Sequence, residues 1–363
     1  MAANRSLAYR RAAVSAMTET LPEIVRSAWN TYAPGVEPIS VEETSAHVST
    51  NQVYRLRFAE RATVYAKVSS YGSFVHFRQD HERIERWRQL LASTRYESFL
   101  APVLRGPDGV YTYHAGQHWV SFYGEVPIVA RLPKVLSEPQ VAQLGREMAH
   151  FHLACDAIAG QLDPTWKTLG SDIAHLFDLL GEDHWLAARG ISKSEASYVR
   201  DHCNLFLRNA DRIGYHRWKK IPVLVDWNLG NFSVTGDAPN FELHSRWDYD
   251  WFRIEPRTLD FYFCSRVVSE EGDRTHFSYL IAPLLQPRFK LFLRSYHEVF
   301  PLTREELLFL KEAYRFFILN YVVRIGEHFF QPHFHKHLLG EAVERYLPET
   351  DRYDFGALLD VVS

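Results

Sequence analysis

The sequence predicts an α+β protein in two lobes, a β-rich amino-terminal lobe followed by a larger and mainly helical one. Three observations carry this. The chain has 363 residues, and domains run roughly 100–200 residues, so two compact units are the default. Short alternating or β-branched runs dominate from about Pro38 to Tyr123, whereas helix-period patterns dominate from about Ser137 onward. Composition is that of an ordinary globular chain, 46% hydrophobic and 23% charged, which argues against disorder.

Each element follows in turn. Val53-Tyr-Arg-Leu-Arg-Phe58 alternates apolar and polar residues, as a strand with one buried face does. Thr63-Val-Tyr-Ala-Lys-Val68 is a second β-rich run, and Ala59-Glu-Arg-Ala62 joins the two as a hairpin. A helix is predicted from Phe74 to Leu91, with Ile84, Trp87 and Leu91 on one face. Gly106-Pro-Asp-Gly109 marks a turn between further strands. His118-Trp-Val-Ser-Phe-Tyr123 closes the first lobe, so the boundary is placed between residues 123 and 124. Ser137-Glu-Pro-Gln140 combines an N-cap, an early proline and a capping-box glutamine. Val141, Leu144, Met148 and Phe151 trace the buried face of the helix it opens. Near 222–251 the pattern turns β-like around two acidic turns. Helices resume at about 278, and Thr303-Arg-Glu-Glu306 is a second capping box, opening a helix through Arg324.

Charge and cysteine content narrow the function. Against 44 Asp and Glu stand 41 Lys and Arg, a net charge of −3. Binders of phosphate backbones usually carry a basic excess, so no nucleic-acid partner is expected. Cys155, Cys203 and Cys264 are far apart and read as buried thiols of a reducing compartment. The first residues lack an apolar h-region, so they are not read as a secretory signal. No run approaches the ~18 apolar residues of a membrane span. The expectation is a cytoplasmic protein with no membrane association and an unassigned oligomeric state.

The chemistry concentrates in Val223-Leu-Val-Asp-Trp-Asn-Leu-Gly-Asn-Phe-Ser-Val234. Asp226 and Asn231 have the D-x-x-x-x-N spacing of a kinase catalytic loop, in which the Asp orients a substrate hydroxyl and the Asn turns its amide oxygen to a magnesium ion. Gly230 is placed to let the backbone bend before Asn231. Asp248 follows a short strand, Phe241 to Trp247, and is the candidate second magnesium ligand. Asp, Asn and Gly also populate ordinary hairpin turns, so these three need context. Lys67, within an apolar strand, supplies it as a candidate phosphate-binding lysine. Glu82 on the following helix is its candidate partner, with Glu85 as the alternative one turn on.

Together these residues resemble the aminoglycoside phosphotransferase / choline kinase superfamily, including homoserine-kinase-like members. Those enzymes carry an HGDxxxGN loop, then an isoleucine-aspartate-tryptophan element and, about twelve residues later, an aspartate-leucine-alanine helix start. The matches here are Asp226, Gly230 and Asn231, then Trp247-Asp248-Tyr249, then Asp260 in Thr258-Leu-Asp-Phe261. Leu144-Gly-Arg-Glu-Met-Ala-His-Phe-His152 resembles the family's "LG…LA-x-LH" helix, and Pro301 to Leu307 with Arg315 to Arg324 resembles its carboxy-terminal helices. The resemblance covers roughly residues 20–330 and is specific for fold and machinery rather than for substrate. It implies a protein-kinase-like two-lobe fold that uses ATP and Mg2+ to phosphorylate a hydroxyl of a small molecule, a metabolite or an aminoglycoside-like antibiotic. Asp226 would be catalytic, and Asn231 and Asp248 would hold the metal. Lys67 and Glu82 would hold the nucleotide, and the hinge near Val120-Ser-Phe-Tyr123, with Ser121 and Tyr123, would meet the adenine edge.

The chain departs from the family at two points. The loop histidine and glycine before the catalytic Asp are Leu224 and Val225. In the family that histidine mainly braces the loop. A glycine-rich loop over the phosphates is also missing, and His47-Val-Ser-Thr-Asn-Gln52 stands in its place, with Ser49, Thr50 and Asn51 as candidate donors. A pseudokinase that binds nucleotide or a protein partner is therefore the alternative function, and transfer of AMP a third. His328, His333, His335 and His337 lack defined zinc geometry and read as surface or core residues. Arg253, Glu255 and Arg257 read as salt-bridge formers, with an acceptor-site role as the alternative.

Overall fold

A computed structural model describes residues 20–45, 51–273 and 278–363. The amino-terminal part is built on an antiparallel sheet of five strands in the order β1-β2-β3-β7-β6. These are β1 (Ser40–Glu43), β2 (Gln52–Arg57), β3 (Val64–Ser69), β6 (Thr112–Ala115) and β7 (His118–Gly124), with a two-residue ladder of β4 (Arg105–Gly106) and β5 (Gly109–Val110) beside it. The alternation read in the sequence is realised: Val64, Ala66 and Val68 of β3 are buried while Tyr65 and Lys67 are half-buried on the other face. Helix α1 (Leu21–Tyr32) covers the buried face through Ile24, Val25, Ala28 and Trp29, packing on Tyr54, Leu56, Ala66 and Phe122.

Helix α2 (Phe74–Leu90) starts at Ser73, whose hydroxyl accepts from the His76 amide. Its Ile84 and Trp87 belong to the larger core, where the Trp87 ring lies 5.8 Å from Phe151 and 5.6 Å from Phe252. That larger core is helical: α3 (Glu138–Ile158), α4 (Leu169–Leu179), α5 (Asp183–Arg189), α6 (Lys193–Arg212), α7 (Phe261–Val268), α8 (Pro287–His297), α9 (Arg304–Phe317), α10 (Pro332–Glu341) and α11 (Leu347–Arg352). Both capping boxes form. The Ser137 amide donates to Gln140 Oε1 at 2.9 Å, and the Thr303 hydroxyl accepts from the Glu306 amide at 3.1 Å. The run from α9 to Arg324 is helical as expected, but its last turns, Ile318–Arg324, widen to π geometry.

Two short β ladders are embedded among these helices. β8 (Ile221–Val223) pairs with β11 (Arg253–Glu255), and β9 (Phe232–Thr235) pairs with β10 (Glu242–Arg246) through a bulge at Leu243/Ser245. The segment 224–231 joins β8 to β9, and 247–252 joins β10 to β11. Both connections therefore emerge side by side, facing Lys67 of the sheet. Among the described residues no helix is long and apolar enough to cross a membrane.

Candidate active site

Lys67 lies on the cleft side of β3, opposite Val53 of β2 and Ser121 of β7. Its ammonium contacts Asp250 Oδ1 directly and lies 3.7 Å from Asp248 Oδ1. Burial works against its charge, but the two carboxylates outweigh burial and hold the Lys67 pKa above its ordinary value. Asp250 is half-buried, and the loss of water pushes its pKa up against the pull of Lys67. Its second oxygen accepts from Asn51 Nδ2 at 2.9 Å.

The 224–231 connection is tightly held. Val225 has φ of 64°, a left-handed conformation that a β-branched residue rarely adopts and that costs roughly 1–3 kcal/mol. It persists because the neighbouring amides are pinned. The Leu224 and Val225 N–H groups donate to Asp260 Oδ1 at 3.0 and 2.6 Å. Asp260 Oδ2 lies 2.9 Å from His152 Nε2, whose Nδ1 lies 2.7 Å from the Tyr296 hydroxyl. Asp226 follows, and its Oδ1 accepts from the Asn228 amide at 3.1 Å. Burial, then the charge of Asp248, push the Asp226 carboxyl up to about 6, against the pull of Arg246. The Leu229 amide donates to Asp273 at 2.7 Å, which fixes the far end of the loop.

Two cavities meet at the acidic pair. The larger, about 410 Å3, is lined by Lys67, Tyr123, Gly124, Val126, Asn231, Asp248 and Asp250 among others. The smaller, about 120 Å3, is lined by Asp226, Arg246, Asp248 and Asp250 with an aromatic wall of Trp251, Phe263, Tyr279, Phe329 and Phe330. Asp248 and Asp250 line both. Of these two, Asp226 lines the smaller alone, and Lys67 and Asn231 the larger alone.

The structure thus brings Lys67, Asp226, Asn231 and Asp248 into one region, with Asn51 and Tyr123 beside them. It does not bring Glu82 there. Glu82 is paired with Arg78 at 2.9 Å on the outer face of α2. The inward face is set by Phe77, Asp80, His81 and Ile84, which line a separate small cavity behind Lys67, and Glu82 sits about 100° round the helix from His81. Glu85 is buried but taken: it binds Arg88 at 2.9 Å and accepts from the Val103 amide at 3.3 Å. Ser121 is a second correction. It is wholly buried within the sheet, and its hydroxyl donates to the Tyr111 carbonyl at 3.2 Å. The backbone of 120–124 is engaged on β3 and the Gly124 N–H donates to the Pro102 carbonyl at 2.9 Å, so the first cleft-lining residue past the sheet is Val126. Gly230 has an ordinary backbone with open space at its Cα, and the left-handed residue is Val225 instead. Ser49 and Thr50 lie outside the described residues.

Sequence reasoning missed Asp250 and Arg246. The signal for Asp250 was the Asp248-Tyr-Asp250 spacing, which turns two carboxylates toward one lysine. Arg253, Glu255 and Arg257 form buried ion pairs with Asp172, Lys220 and Glu306, away from both cavities. His335 faces the Val322 carbonyl at 3.0 Å. Among the described residues no three His, Cys, Asp or Glu side chains group as a metal cage.

Neither a protein-family model nor a curated protein matches the chain by sequence. Solved structures do match by fold. A microcompartment-associated aminopropanol kinase is 16% identical with a TM-score of 0.58, over 90% of this chain and 98% of that one. An amicoumacin kinase bound to AMP-PNP and Ca2+ is 12% identical with a TM-score of 0.60, over 89% and 94%. An aminoglycoside phosphotransferase with GDP and kanamycin is 13% identical with a TM-score of 0.55, over 90% and 98%. The chain therefore has the two-lobe, kinase-like fold of the aminoglycoside phosphotransferase type of small-molecule kinase, as its motifs led us to expect.

Proposed function

We propose that this protein is an ATP- and Mg2+-dependent phosphotransferase whose acceptor is a hydroxyl group of a compact small molecule. One observation carries the proposal: two cavities share Asp248 and Asp250, with Lys67 and Asn231 on one side and Asp226 on the other. In this reading the lobes divide after Tyr123. The nucleotide occupies the larger cavity, its adenine edge at the backbone of Val126 and its phosphates at Lys67. The donor set suits a hard divalent cation, for which one or two oxygen ligands plus phosphate oxygens suffice. The Lys67 ammonium, drawn onto both carboxylates, marks the place of positive charge. Asn231 and Asp248 would hold the ion, which supplies neutralisation of phosphate charge when bound.

Asp226 accepts a hydrogen bond from the acceptor hydroxyl and aims its oxygen at the γ-phosphorus. The new O–P bond forms as the bond to the leaving diphosphate breaks, and the hydroxyl proton passes to Asp226. A carboxyl pushed up to about 6 is still mainly ionised at neutral pH, and it is a better proton acceptor than an ordinary one. Such a step is mostly alignment and charge neutralisation.

The smaller cavity supports a compact acceptor. A cavity of about 150 Å3 holds benzene, so 120 Å3 takes about five heavy atoms. Aromatic faces beside three carboxylates and one guanidinium leave the wall net negative, which favours a positively charged body, so the class is hydroxylated amines. The aminopropanol kinase with this fold acts on a molecule of that size.

Binding without transfer is favoured by one observation, Leu224 and Val225 in place of the family's histidine and glycine. The deciding experiment incubates the protein with ATP, Mg2+ and a panel of amino alcohols and aminoglycosides, and reads the products by mass. The expected product is an amino alcohol carrying one added phosphoryl group. Asp226→Ala should lower turnover by about a hundredfold or more with nucleotide affinity kept. Nucleotide binding with no acceptor turned over would favour the binding role, and an added AMP would replace the chemistry.

A further inference from the structure

Arg246 ends β10 and is wholly buried beside the catalytic loop. Its backbone is fixed on both sides, with its N–H donating to the Phe99 carbonyl at 2.6 Å and its carbonyl accepting from Ala101 at 3.1 Å. Its guanidinium lies 4.9 Å over the Trp227 ring. From there Nη2 donates to the Asp226 carbonyl at 2.6 Å, and Nε donates to the Asp248 carbonyl at 3.1 Å. One rigid, planar group therefore touches the backbone of both acidic residues that the proposed reaction needs. Leu224, at the place of the family's bracing histidine, has no side-chain donor.

We propose that Arg246 is a positioning residue that sets Asp226 against Asp248, replacing from β10 the brace that Leu224 cannot supply. This rests on the phosphotransferase reading. The fork geometry explains the residue type: a guanidinium offers donors in fixed directions, whereas an ammonium is a single rotating point charge. The Arg246 contact needs no side chain from the loop itself, so the loop position is free to be apolar. Leu224 is wholly buried.

The test uses Arg246→Met, Arg246→Lys, and Leu224→His placed in the Arg246→Met protein. Steady-state phosphoryl transfer, nucleotide affinity and hydrogen exchange of the 224–231 amides are measured on each. Arg246→Met should lower kcat at least tenfold while nucleotide affinity changes less than threefold, and should raise exchange across 224–231 but not across α2. Arg246→Lys should recover little of the loss. Leu224→His should restore kcat at least threefold and slow the exchange again. Unchanged kcat and exchange in Arg246→Met would overturn the proposal, as would a loss that Arg246→Lys fully restores. Should Arg246→Met fail to fold, Arg246→Lys decides by the same readouts. If the wild type transfers no phosphoryl group, the phosphotransferase reading falls, and the brace stands or falls on the exchange pattern alone.

Discussion

Asp260 shows how one buried carboxylate holds a loop in a conformation that its own sequence disfavours. It takes two amides and an imidazole at once, all with no exposure to water. Removing it leaves three polar groups buried without partners, and breaking such a site costs about 3–5 kcal/mol. We expect Asp260→Ala to lower unfolding stability by about 3 kcal/mol, read by denaturant titration. Asp260→Asn should retain more than half of that stability, because its amide oxygen still accepts from Leu224 and Val225. Equal losses in the two variants would mean that the amides are held by something else. That Lys67, Asp226, Asn231 and Asp248 converge on one region was legible as a pattern: Asp226 and Asn231 have the spacing of a kinase loop, Asp248 follows a short strand, and Lys67 stands out in an apolar strand. Asp250 and Arg246 were not legible. A charged residue next to a motif looks like any surface charge until the fold shows that it is buried and which way it points.

At the scale of elements, what could be read was periodicity and capping, and what could not was helix phase relative to a neighbour. The α2 face toward Lys67 is set by how Trp87 docks on Phe151 and Phe252, which no local pattern reveals. Glu82 was misplaced by about one residue of helical rotation, which is 100°. The packing of α3 on α8 is a close approach of the same hidden kind. A Cβ at Gly145 would lie 2.4 Å from the Phe292 carbonyl oxygen. Glycine to alanine within a helix normally gains up to about 1 kcal/mol, but forcing two packed helices apart costs about 1–3 kcal/mol. The clash is with backbone, which cannot rotate away, so the cost wins. Gly145→Ala should lower the unfolding temperature, whereas Gly340→Ala, exposed and with open space, should raise it slightly. Two shifts of the same sign in thermal melts would show that propensity, not close approach, governs Gly145.

Across the whole molecule, stability should depend on pH through histidines that the fold keeps neutral. His202 on α6 is buried, and burial first and Arg315 second push it down to about 4. Arg315 on α9 donates to His202 Nδ1 and also binds Glu312 and Asp351, so this imidazole sits where α6, α9 and the carboxy-terminal helices join. Buried His81 is likewise pushed down to about 4, by burial and by Lys67. An unfolded histidine titrates near 6.5. Between about 4 and 6.5 the unfolded chain therefore binds more protons than the folded one, so stability falls as pH drops through that window. Asp226, pushed up to about 6, acts in the opposite direction near the cleft, as do Asp250 and Asp273. The net slope of the wild type thus mixes both signs, and a variant must isolate one. His202 is suited to this because it lies on helices away from both cavities. From pH 7.5 to 5, a group titrating at 4 in the folded state contributes about 2 kcal/mol of lost stability. His202→Asn should be less stable than the wild type at pH 7.5, yet lose about 2 kcal/mol less on acidification to pH 5, measured by urea titration at each pH. Parallel losses in the two proteins would mean that His202 already carries its proton in the folded state, with Asp351 rather than Arg315 setting its charge.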